Sequence, residues 1–292
     1  MKHYDEIVII YNPNSTGDSK ANAKELEKQL KARKLPAKCV ATKYAGHAQK
    51  IACEYATKKQ KTLLVSSSGD GGYNEVVNGV LAHEKTTATT YILPSGNAND
   101  HHHATAKGTP ADHIAAHKED SIDVLKVTAT VNGKPWERYA HSYAGIGLTA
   151  YIGKKLTEAD LNPINEKFIV LKYLLLFQHV TIRKDGQKKR YASIIFGSID
   201  RMSKLLKLTG ANKSMRDGKM EVYELRSRST AKLLLALLLG ATKGFAPAKT
   251  TKEYSFTTTR ALDIQLDGEV TKIDTNATVT VTCLQKKLRV IR

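Results

Sequence analysis

Cysteine is scarce in this chain, and a long apolar run is missing. The 292 residues include three cysteines, Cys39, Cys53 and Cys283. Because they are few, odd in number and widely spaced, we expect reduced thiols rather than disulfides or a zinc site. The strongest apolar run, residues 233–239, is far shorter than the ~20 residues that span a bilayer, and we interpret it as a buried core helix. The charged start is unlike a signal peptide, so we expect a cytoplasmic protein.

Acidic residues are also scarce. Asp and Glu number 28 against 46 Lys and Arg, which gives a formal net charge of +18. Such a balance favours an anionic partner, either nucleic acid or an anionic membrane surface. Aromatic residues are sparse among the basic clusters and no nucleic-acid motif is present, so we expect no nucleic-acid partner. The clusters could form a membrane-facing surface or an ordinary solvated one. They lie at residues 58–61, 183–184, 188–190 and 286–287.

The most informative segment is an apolar run that ends in a glycine-rich turn. Residues 63–65 are apolar, Ser68-Gly69-Asp70-Gly71-Gly72 follows, and apolar residues then recur at helical spacing between 76 and 81. A strand, a glycine turn and a helix in this order present backbone N–H groups at a helix N-terminus, which suits a phosphate. An ordinary tight turn is the alternative. Asp70 favours a phosphoryl-transfer site, because a carboxylate there needs a cation or a hydroxyl proton beside it.

Two further segments repeat this order. The apolar run 7–11 precedes Asn12-Pro13-Asn14-Ser15-Thr16-Gly17 and the amphipathic stretch 20–33, and residues 91–93 lead into Pro94-Ser95-Gly96-Asn97-Ala98-Asn99-Asp100. Three β-turn-α units predict a parallel sheet covered by helices. Ligands collect beyond the carboxyl ends of the strands in such sheets, so we expect the three turns to converge there.

These motifs resemble the diacylglycerol kinase catalytic domain family, which includes bacterial diacylglycerol kinases, sphingosine kinase and ceramide kinase. The nucleotide-binding motif of this family is Gly-Gly-Asp-Gly-Thr, followed by Glu-Val-x-Asn-Gly. Here Ser68 replaces the first glycine and Gly72 replaces the threonine, whereas residues 75–79 match fully. The related NAD kinases and phosphofructokinases share this motif, so the further matches in the right order are what make the resemblance specific.

Those further matches extend the resemblance along the first half of the chain. Residues 12–17 are similar to the family's Asn-Pro-x-Ser-Gly, with one extra residue, so either Ser15 or Thr16 would contact phosphate. Thr42 precedes a Gly-His-Ala match, and Asn97 replaces the threonine of Pro-x-Gly-Thr-Ala-Asn-Asp. The resemblance implies ATP as cofactor, and it implies the following contacts to it: Asn12, Asn14, Ser15, Thr16, Thr42, Ser68, Gly69, Asp70, Gly71, Gly72, Asn74, Glu75, Gly96 and Asn97.

Beyond residue 121 the composition changes to short alternating runs rich in Val, Thr, Ile and Tyr. Asn132-Gly133 and Asp185-Gly186 are strong hairpin turns. Many short strands separated by turns predict an antiparallel β-sandwich. We therefore expect an α/β nucleotide-binding domain of three layers at 1–121 and a β-rich domain at 122–283. The resemblance implies that the second domain binds the lipid substrate and that a last strand at 284–292 returns to the first. The resemblance implies an active site in the cleft between them.

The second half carries an Asp-Gly-Glu motif at Asp267-Gly268-Glu269. The tripeptide alone could be an ordinary hairpin turn. The resemblance assigns Asp267 and Glu269 to catalysis and makes Glu269 the base that takes the proton of the attacking lipid hydroxyl. In sphingosine-kinase-like relatives the aspartate of Ser-Gly-Asp-Gly has that role, so Asp70 is the rival base. We favour Glu269, with Asp70 positioning nucleotide, metal or acceptor.

A metal site is implied by a second Asp-Gly segment, residues 215–222. The resemblance makes Asp217 a Mg²⁺ ligand together with the carbonyl groups of Ser214 and Lys219, and it places Asp100 behind them through water. Such an oxygen-only set suits Mg²⁺ or Ca²⁺, although a plain hairpin turn is the alternative. A further Mg²⁺ would be bound to the ATP phosphates.

Taken together, the motifs and the family that they resemble imply an ATP-dependent lipid kinase that phosphorylates diacylglycerol or a similar lipid, and we expect it to associate with the inner face of the membrane. Thr149 replaces an aspartate of the family, which counts against a sphingoid base as substrate. The alternatives are a kinase for a sphingoid base or other lipid, a soluble NAD-kinase-like enzyme, and an inactive nucleotide- or lipid-binding regulator. A homodimer is a further expectation, since bacterial relatives are often dimers.

Overall fold

The chain divides into two units. Unit 1 comprises residues 1–124 and 285–292, and unit 2 comprises residues 125–284; the expected boundaries lay at 121 and 283. The computed structural model describes residues 3–15, 17–96, 101–102, 109–158, 177, 179–199, 201–202, 206–208, 215–226 and 229–291.

Unit 1 is built on a parallel sheet. Its strands follow the order β2-β1-β3-β4-β18, and each neighbouring pair runs parallel. Residues 285–291 of the last strand belong to this unit. The strands are β1 Glu6–Tyr11, β2 Ala37–Ala41, β3 Thr62–Ser68, β4 Thr89–Pro94 and β18 Thr278–Ile291, and the helices are α1 Ser19–Ala32, α2 His47–Ala56, α3 Asp70–Leu81 and α4 Pro110–Ala116.

Helices cover both faces of this sheet. Alternate strand residues such as Ile9 and Val65 pack with Leu26 of α1 and Ile114 of α4 in one core cluster. The intervening strand residues point to the opposite face, and Leu64 among them is fully buried. Helices α2 and α3 pack on each other, and α3 contacts β3. The unit therefore has the three layers that its β-turn-α pattern predicts.

Unit 2 contains antiparallel sheets. One has the order β14-β13-β10-β7-β16-β17, and in the other β18, β15, β8 and β9 are successive neighbours beside the β5–β6 hairpin. The strands are β5 Glu119–Val131 (in this unit from residue 125), β6 Lys134–Ala140, β7 Tyr143–Gly147, β8 Val180–Lys184, β9 Gln187–Tyr191, β10 Ser193–Gly197, β11 Arg201–Met202, β12 Leu206–Lys207, β13 Met220–Leu225, β14 Lys249–Thr251, β15 Glu253–Thr258, β16 Leu262–Leu266 and β17 Glu269–Ile273; the helices are α5 Leu148–Glu158 and α6 Thr230–Thr242.

The two sheets of unit 2 face each other across one core. Phe196 of β10 and Ile264 of β16 share a cluster with Ile182 of β8 and Val279 of β18. The rings of Phe196 and Tyr254 meet edge to face with centroids 5.2 Å apart, an arrangement that aromatic pairs prefer. Residues from both sheets thus form the core of a β-sandwich, as predicted.

The hairpin turns are confirmed. Asn132 and Gly133 have φ of 51° and 73°, and Asp185 and Gly186 have 52° and 74°. Positive φ at both central residues is the geometry of a two-residue type I′ turn, which Asn-Gly and Asp-Gly adopt at little cost.

The leucine-rich run forms helix α6, and the expectation that it is a buried core helix is wrong in part. Leu233 is 2% exposed, whereas Leu235 and Leu239 are 57% and 45% exposed. None of the helices in the described ranges has the length and apolar character that crossing a bilayer requires.

Candidate functional site

Three turns of unit 1 meet at the carboxyl edge of the parallel sheet. A Cβ at Gly17, after β1, would lie 2.3 Å from the carbonyl oxygen of Ser95, after β4. The Ser95 N–H donates to the carbonyl of Ser68 at the end of β3, over 3.1 Å. A Cβ at Gly69 would lie 3.4 Å from the Cα of Gly96. Gly17 must therefore be glycine for the turns to approach this closely, and the predicted convergence of the turns is present.

A buried hydroxyl network holds these turns together. Ser67 Oγ donates to the Ser19 carbonyl over 2.8 Å and lies 3.1 Å from Ser95 Oγ, while Ser19 Oγ donates to the Ser67 carbonyl over 2.5 Å. The Asn22 amide donates to Ser95 Oγ over 3.0 Å. These residues join α1 to the ends of β3 and β4. Ser19, Asn22 and Ser67 are not among the predicted site residues; the run of three serines at 66–68 is the feature of the sequence that could have indicated them.

Helix α3 begins directly at the glycine-rich turn. Gly69 is its extended N-cap residue, and Asp70 is the first helical residue. Asp70 is 9% exposed, and its carboxylate accepts the N–H of His101 over 3.2 Å. The first N–H groups of α3 lack intrahelical partners and lie at the positive end of the helix dipole. This edge therefore has the chemistry of an anion site that also carries one carboxylate.

Ser68 and Gly72 are coupled by packing. A Cβ at Gly72 would lie 2.7 Å from both Cβ and Oγ of Ser68, a distance at which one side chain must move. The hydroxyl of Ser68 lies 2.7 Å from Ser66 Oγ and donates to the Gly69 carbonyl over 2.9 Å. The two departures from the family motif thus occur at positions that compete for one space.

The turn after β1 is organised by its own polar side chains. Asn12 Oδ1 accepts the N–H of Asn14 over 3.0 Å, and Ser15 Oγ accepts the N–H of Gly17 over 3.3 Å. Both side chains therefore shape the loop that carries them. Four of the predicted site residues, Thr16, Asn97, Asp100 and Ser214, lie outside the described residues.

Glu75 caps a neighbouring helix. Its two carboxylate oxygens accept the N–H groups of Gly46 and Ala48, over 2.9 and 3.2 Å, at the start of α2. Negative charge at that end also complements the helix dipole. Asn74 is buried and accepts the side-chain amide of Asn78. The predicted nucleotide contacts of Glu75 and Asn74 stay predictions, and the geometry gives both residues a structural function.

Thr42 directly follows β2. Its N–H donates to the carbonyl of Tyr11 over 2.8 Å, which ties the end of β2 to the end of β1. Thr42 therefore lies at the same carboxyl edge of the sheet as the other turns.

In unit 2, Asp267 is an anchor. It is fully buried, and its carboxylate accepts the N–H groups of His141, Ser142 and Tyr143 over 2.6, 3.1 and 3.0 Å. Its backbone has φ +49°, and it opens the two-residue turn between β16 and β17. A carboxylate held by three backbone donors and shielded from solvent positions the hairpin. The catalytic function expected of Asp267 stays a prediction.

Glu269 follows that turn as the first residue of β17. It pairs with Leu266 across the hairpin and is exposed. The turn anchored by Asp267 therefore presents an accessible carboxylate, which general-base chemistry needs.

The Asp217 segment forms a tight turn before β13. Asp217 is exposed, and one of its carboxylate oxygens accepts the Lys219 N–H over 3.0 Å. Met215 and Gly218 both have positive φ, 50° and 71°. Ser214 lies outside the described residues, and among the described ones no group of three His, Cys, Asp or Glu side chains could hold a metal ion. What the described part of the turn offers is a single carboxylate, an oxygen ligand of the kind that Mg²⁺ binds, and the expected metal site stays a prediction.

Thr149, which replaces the family's aspartate, is used within the protein. Its hydroxyl lies 3.2 Å from Ser193 Oγ and donates to the Ile146 carbonyl over 3.4 Å. A Cβ at Gly145 would lie 2.5 Å from the same hydroxyl. The position therefore carries a hydroxyl that contributes to packing beside β7.

Comparison with known proteins gives the class of fold first. The chain superposes with a TM-score of 0.72 on a diacylglycerol kinase from Bacillus anthracis str. Sterne, over 100% of this chain and 98% of that one, at 20% identity. Yeast NADH kinase is more distant, with a TM-score of 0.51 at 10% identity over 99% and 83% of the chains. These likenesses confirm the predicted fold, an α/β domain with an antiparallel β domain of the diacylglycerol kinase and NAD kinase type.

Comparison of sequences indicates the family that part of the chain resembles. Residues 6–127 match the family model described as diacylglycerol kinase catalytic domain. YtlR of Bacillus subtilis (strain 168), named as a lipid kinase, is 27% identical over 163 residues, 52% of this chain and 50% of that protein. Diacylglycerol kinase of the same strain is 33% identical over 124 residues, 42% and 36% of the respective chains. The matched part thus spans half or less of these relatives. The resemblance of the motifs to the diacylglycerol kinase catalytic domain family is thus confirmed over residues 6–127.

Proposed function

We propose that this protein is an ATP-dependent lipid kinase that transfers the γ-phosphate of ATP to the hydroxyl of diacylglycerol, giving phosphatidic acid. The observation that carries the proposal is the convergence of the turns after β1, β3 and β4 beside the N-terminus of α3. The backbone N–H groups and the positive dipole end of a helix N-terminus favour a polyphosphate, and bare glycine backbone admits its close approach. The family of residues 6–127 supports the same chemistry.

The nucleotide is assigned to unit 1. The α3 N-terminus and the turns at Asn12–Ser15 and Ser68–Gly72 would bind the phosphates, and Thr42 lies at the same edge. Asp70 would position the nucleotide, a metal ion or the acceptor hydroxyl. The close contacts between the turns support a preorganised site, which phosphoryl transfer needs because its catalysis is mainly positioning and charge stabilisation.

Mg²⁺ is the metal that the donor set fits. Asp217, with the carbonyl groups of its turn, would hold one ion, and a second would accompany ATP. When bound, Mg²⁺ neutralises charge on the transferring phosphoryl group.

Glu269 is the proposed base. Its carboxylate would accept the proton of the lipid hydroxyl while the new oxygen–phosphorus bond forms and the bond from the γ-phosphorus to the bridging oxygen of ADP breaks. Its exposure, and the anchoring of its hairpin through Asp267, support this function. Asp70 is the alternative candidate for the base, because its carboxylate lies in the Ser68–Gly72 turn that is proposed to bind the nucleotide.

The acceptor lipid would be met at an anionic membrane surface. A net charge of +18 supports this, because each basic side chain near anionic lipid contributes about 1 kcal/mol.

The test is phosphate transfer from labelled ATP with Mg²⁺ to a panel in mixed micelles. The panel contains diacylglycerol, monoacylglycerol, sphingosine, ceramide and isoprenoid alcohols, with NAD as a soluble acceptor. We expect transfer to diacylglycerol. Transfer to another lipid alone would show that diacylglycerol is not the substrate, while the protein would still be a lipid kinase. Transfer to NAD alone would overturn the lipid kinase, and ATP binding without any transfer would identify a nucleotide-binding regulator.

A further inference from the structure

Unit 2 contains a basic cavity whose residues are not among those of the proposed active site, and the basic clusters at 183–184 and 188–190 contribute to it. It has a volume of ≈ 400 Å³ and lies where the β8–β9 hairpin meets the ends of β13 and β14. We call it the basic cavity. Its lining includes four cationic side chains and one carboxylate: Lys184, Lys189, Arg226, Lys249 and Glu224.

The carboxylate of the cavity is already engaged. Glu224 accepts the phenol O–H of Tyr254 over 2.9 Å and the guanidinium of Arg226 over 2.5 Å. Burial works to raise the pKa of Glu224, but the hydrogen bonds from Arg226 and Tyr254 keep it below its usual value. Glu224 is therefore ionised at neutral pH, and its charge is matched by Arg226.

Lys189 has its own partner at the rim. Its ammonium lies 3.5 Å from the carboxylate of Asp185, in the turn between β8 and β9. The Asp185 side chain is largely exposed, so this ion pair contributes little free energy.

The ammonium groups of Lys184 and Lys249 remain, and both lie beside the ring of Tyr254. Lys184 Nζ lies 3.1 Å and Lys249 Nζ 4.7 Å from the centroid of Tyr254. Within the described part of the chain neither forms an ion pair with a carboxylate within 4.0 Å. Burial, together with the charge of Lys249, lowers the pKa of Lys184 to about 8. The cavity thus collects positive charge that its own carboxylate does not match.

We propose that the basic cavity binds a phosphate-class dianion between the ammonium groups of Lys184 and Lys249. A dianion would neutralise both charges and accept their N–H donors, and charge-assisted hydrogen bonds of this kind are the strong ones. The buried Tyr254 ring lies beside both ammonium groups and keeps the two side chains together. The ligand is either a phosphorylated lipid headgroup or free phosphate, which share this chemistry. The inference does not depend on the kinase activity, because no residue of the cavity belongs to the proposed active site.

The experiment uses the full chain and two double variants. Lys184→Met with Lys249→Met removes both ammonium groups from the cavity, and Lys188→Met with Lys252→Met removes the same charge from exposed positions outside it. Binding of inorganic phosphate is followed through NMR signals of the Lys184 and Lys249 side chains. Binding of phosphatidylcholine vesicles, with and without phosphatidic acid, is followed by sedimentation.

We expect the cavity variant to lose about tenfold or more in affinity, because it lacks both charged hydrogen-bond donors to the dianion. The control variant should change by less than about twofold. Binding of inorganic phosphate would identify free phosphate as a ligand, and binding of phosphatidic acid vesicles alone would identify a lipid headgroup. Equal losses in both variants, or no binding of either probe, would overturn the proposal.

A single conservative variant tests the site without removing charge. Binding to the wild-type cavity should weaken as the pH rises through about 8, because Lys184 then loses its proton. In Lys184→Arg the charge persists at every accessible pH, so binding should continue above pH 8. The same pH dependence in both proteins would overturn the assignment of Lys184.

Discussion

A Cβ at Gly72 would lie 2.7 Å from the Cβ of Ser68. The family motif has a glycine at the first of these positions and a threonine at the second, and this chain has a side chain at the first and none at the second. The two departures are therefore one exchange, in which the hydroxyl moves from the first turn of α3 to the end of β3. This argues against reading Gly72 as a sign of lost function.

The exchange predicts a clash that a second substitution relieves. Gly72→Thr should destabilise the protein by about 1–3 kcal/mol, the usual cost of overpacking, because Ser68 Cβ cannot move without β3. The double variant Ser68→Gly with Gly72→Thr should recover to within about 1 kcal/mol of wild type. Urea-induced unfolding measures both. Equal instability of the single and double variants would contradict the coupling.

Asp267 should matter for stability whether or not it matters for catalysis. Asp267→Ala leaves three buried N–H groups, those of residues 141–143, without their acceptor and should cost about 3 kcal/mol or more. Asp267→Asn keeps one acceptor oxygen and a residue tolerant of positive φ, so it should cost less. Asp263→Ala is the matched control on the same hairpin, where only an ion pair with Lys154 is lost, and it should change stability by less than about 1 kcal/mol. The free energy of unfolding is measured by heat or urea. Equal losses in Asp263→Ala and Asp267→Ala would show that the Asp267 carboxylate does not hold the hairpin in place.

Much of the fold follows from local sequence. The parallel sheet was predictable because three apolar runs each end in a glycine-bearing turn, and the hairpins at Asn132-Gly133 and Asp185-Gly186 because few residues adopt their φ. The position of the site at the carboxyl edge follows from the same pattern.

What escaped prediction depends on long-range partners. Nothing near Asp267 in sequence indicates that its carboxylate binds backbone more than a hundred residues earlier. Glu75 lies inside a nucleotide motif, yet its carboxylate faces the start of α2, which depends on how α2 and α3 pack. Two cations of the basic cavity, Lys184 and Lys189, belong to basic clusters visible in the sequence, but Arg226 and Lys249 come from distant segments, so the sequence does not indicate that the four side chains meet.

The capping contact of Glu75 gives a further prediction. Glu75→Ala removes the acceptor for the N–H groups of Gly46 and Ala48 and should cost about 1 kcal/mol, as loss of a helix cap does. Glu54→Ala, an exposed carboxylate on α2 itself, should change stability by less than about 0.5 kcal/mol. Urea unfolding and ATP binding are measured together. Lost ATP affinity with unchanged stability would instead give Glu75 a direct contact to the nucleotide.

The function of Glu269 as the base is tested by a substitution that removes its charge and keeps the shape of the side chain. Glu269→Gln should reduce turnover about 10²–10⁴-fold, the range that a positioned general base supplies, and should change the Kd for ATP by less than about threefold, because the nucleotide is assigned to other residues. Asp70→Asn should act differently, weakening ATP binding together with turnover, since Asp70 lies at the start of α3.

Turnover with diacylglycerol and equilibrium binding of ATP separate these effects. Asp263→Asn, on the strand paired with β17, is the control for loss of a carboxylate from the hairpin and should leave both quantities unchanged. If Glu269→Gln kept full activity while Asp70→Asn lost turnover with ATP binding intact, the proton acceptor would be Asp70. The anchoring of the hairpin by Asp267 would then serve packing rather than the placement of a base.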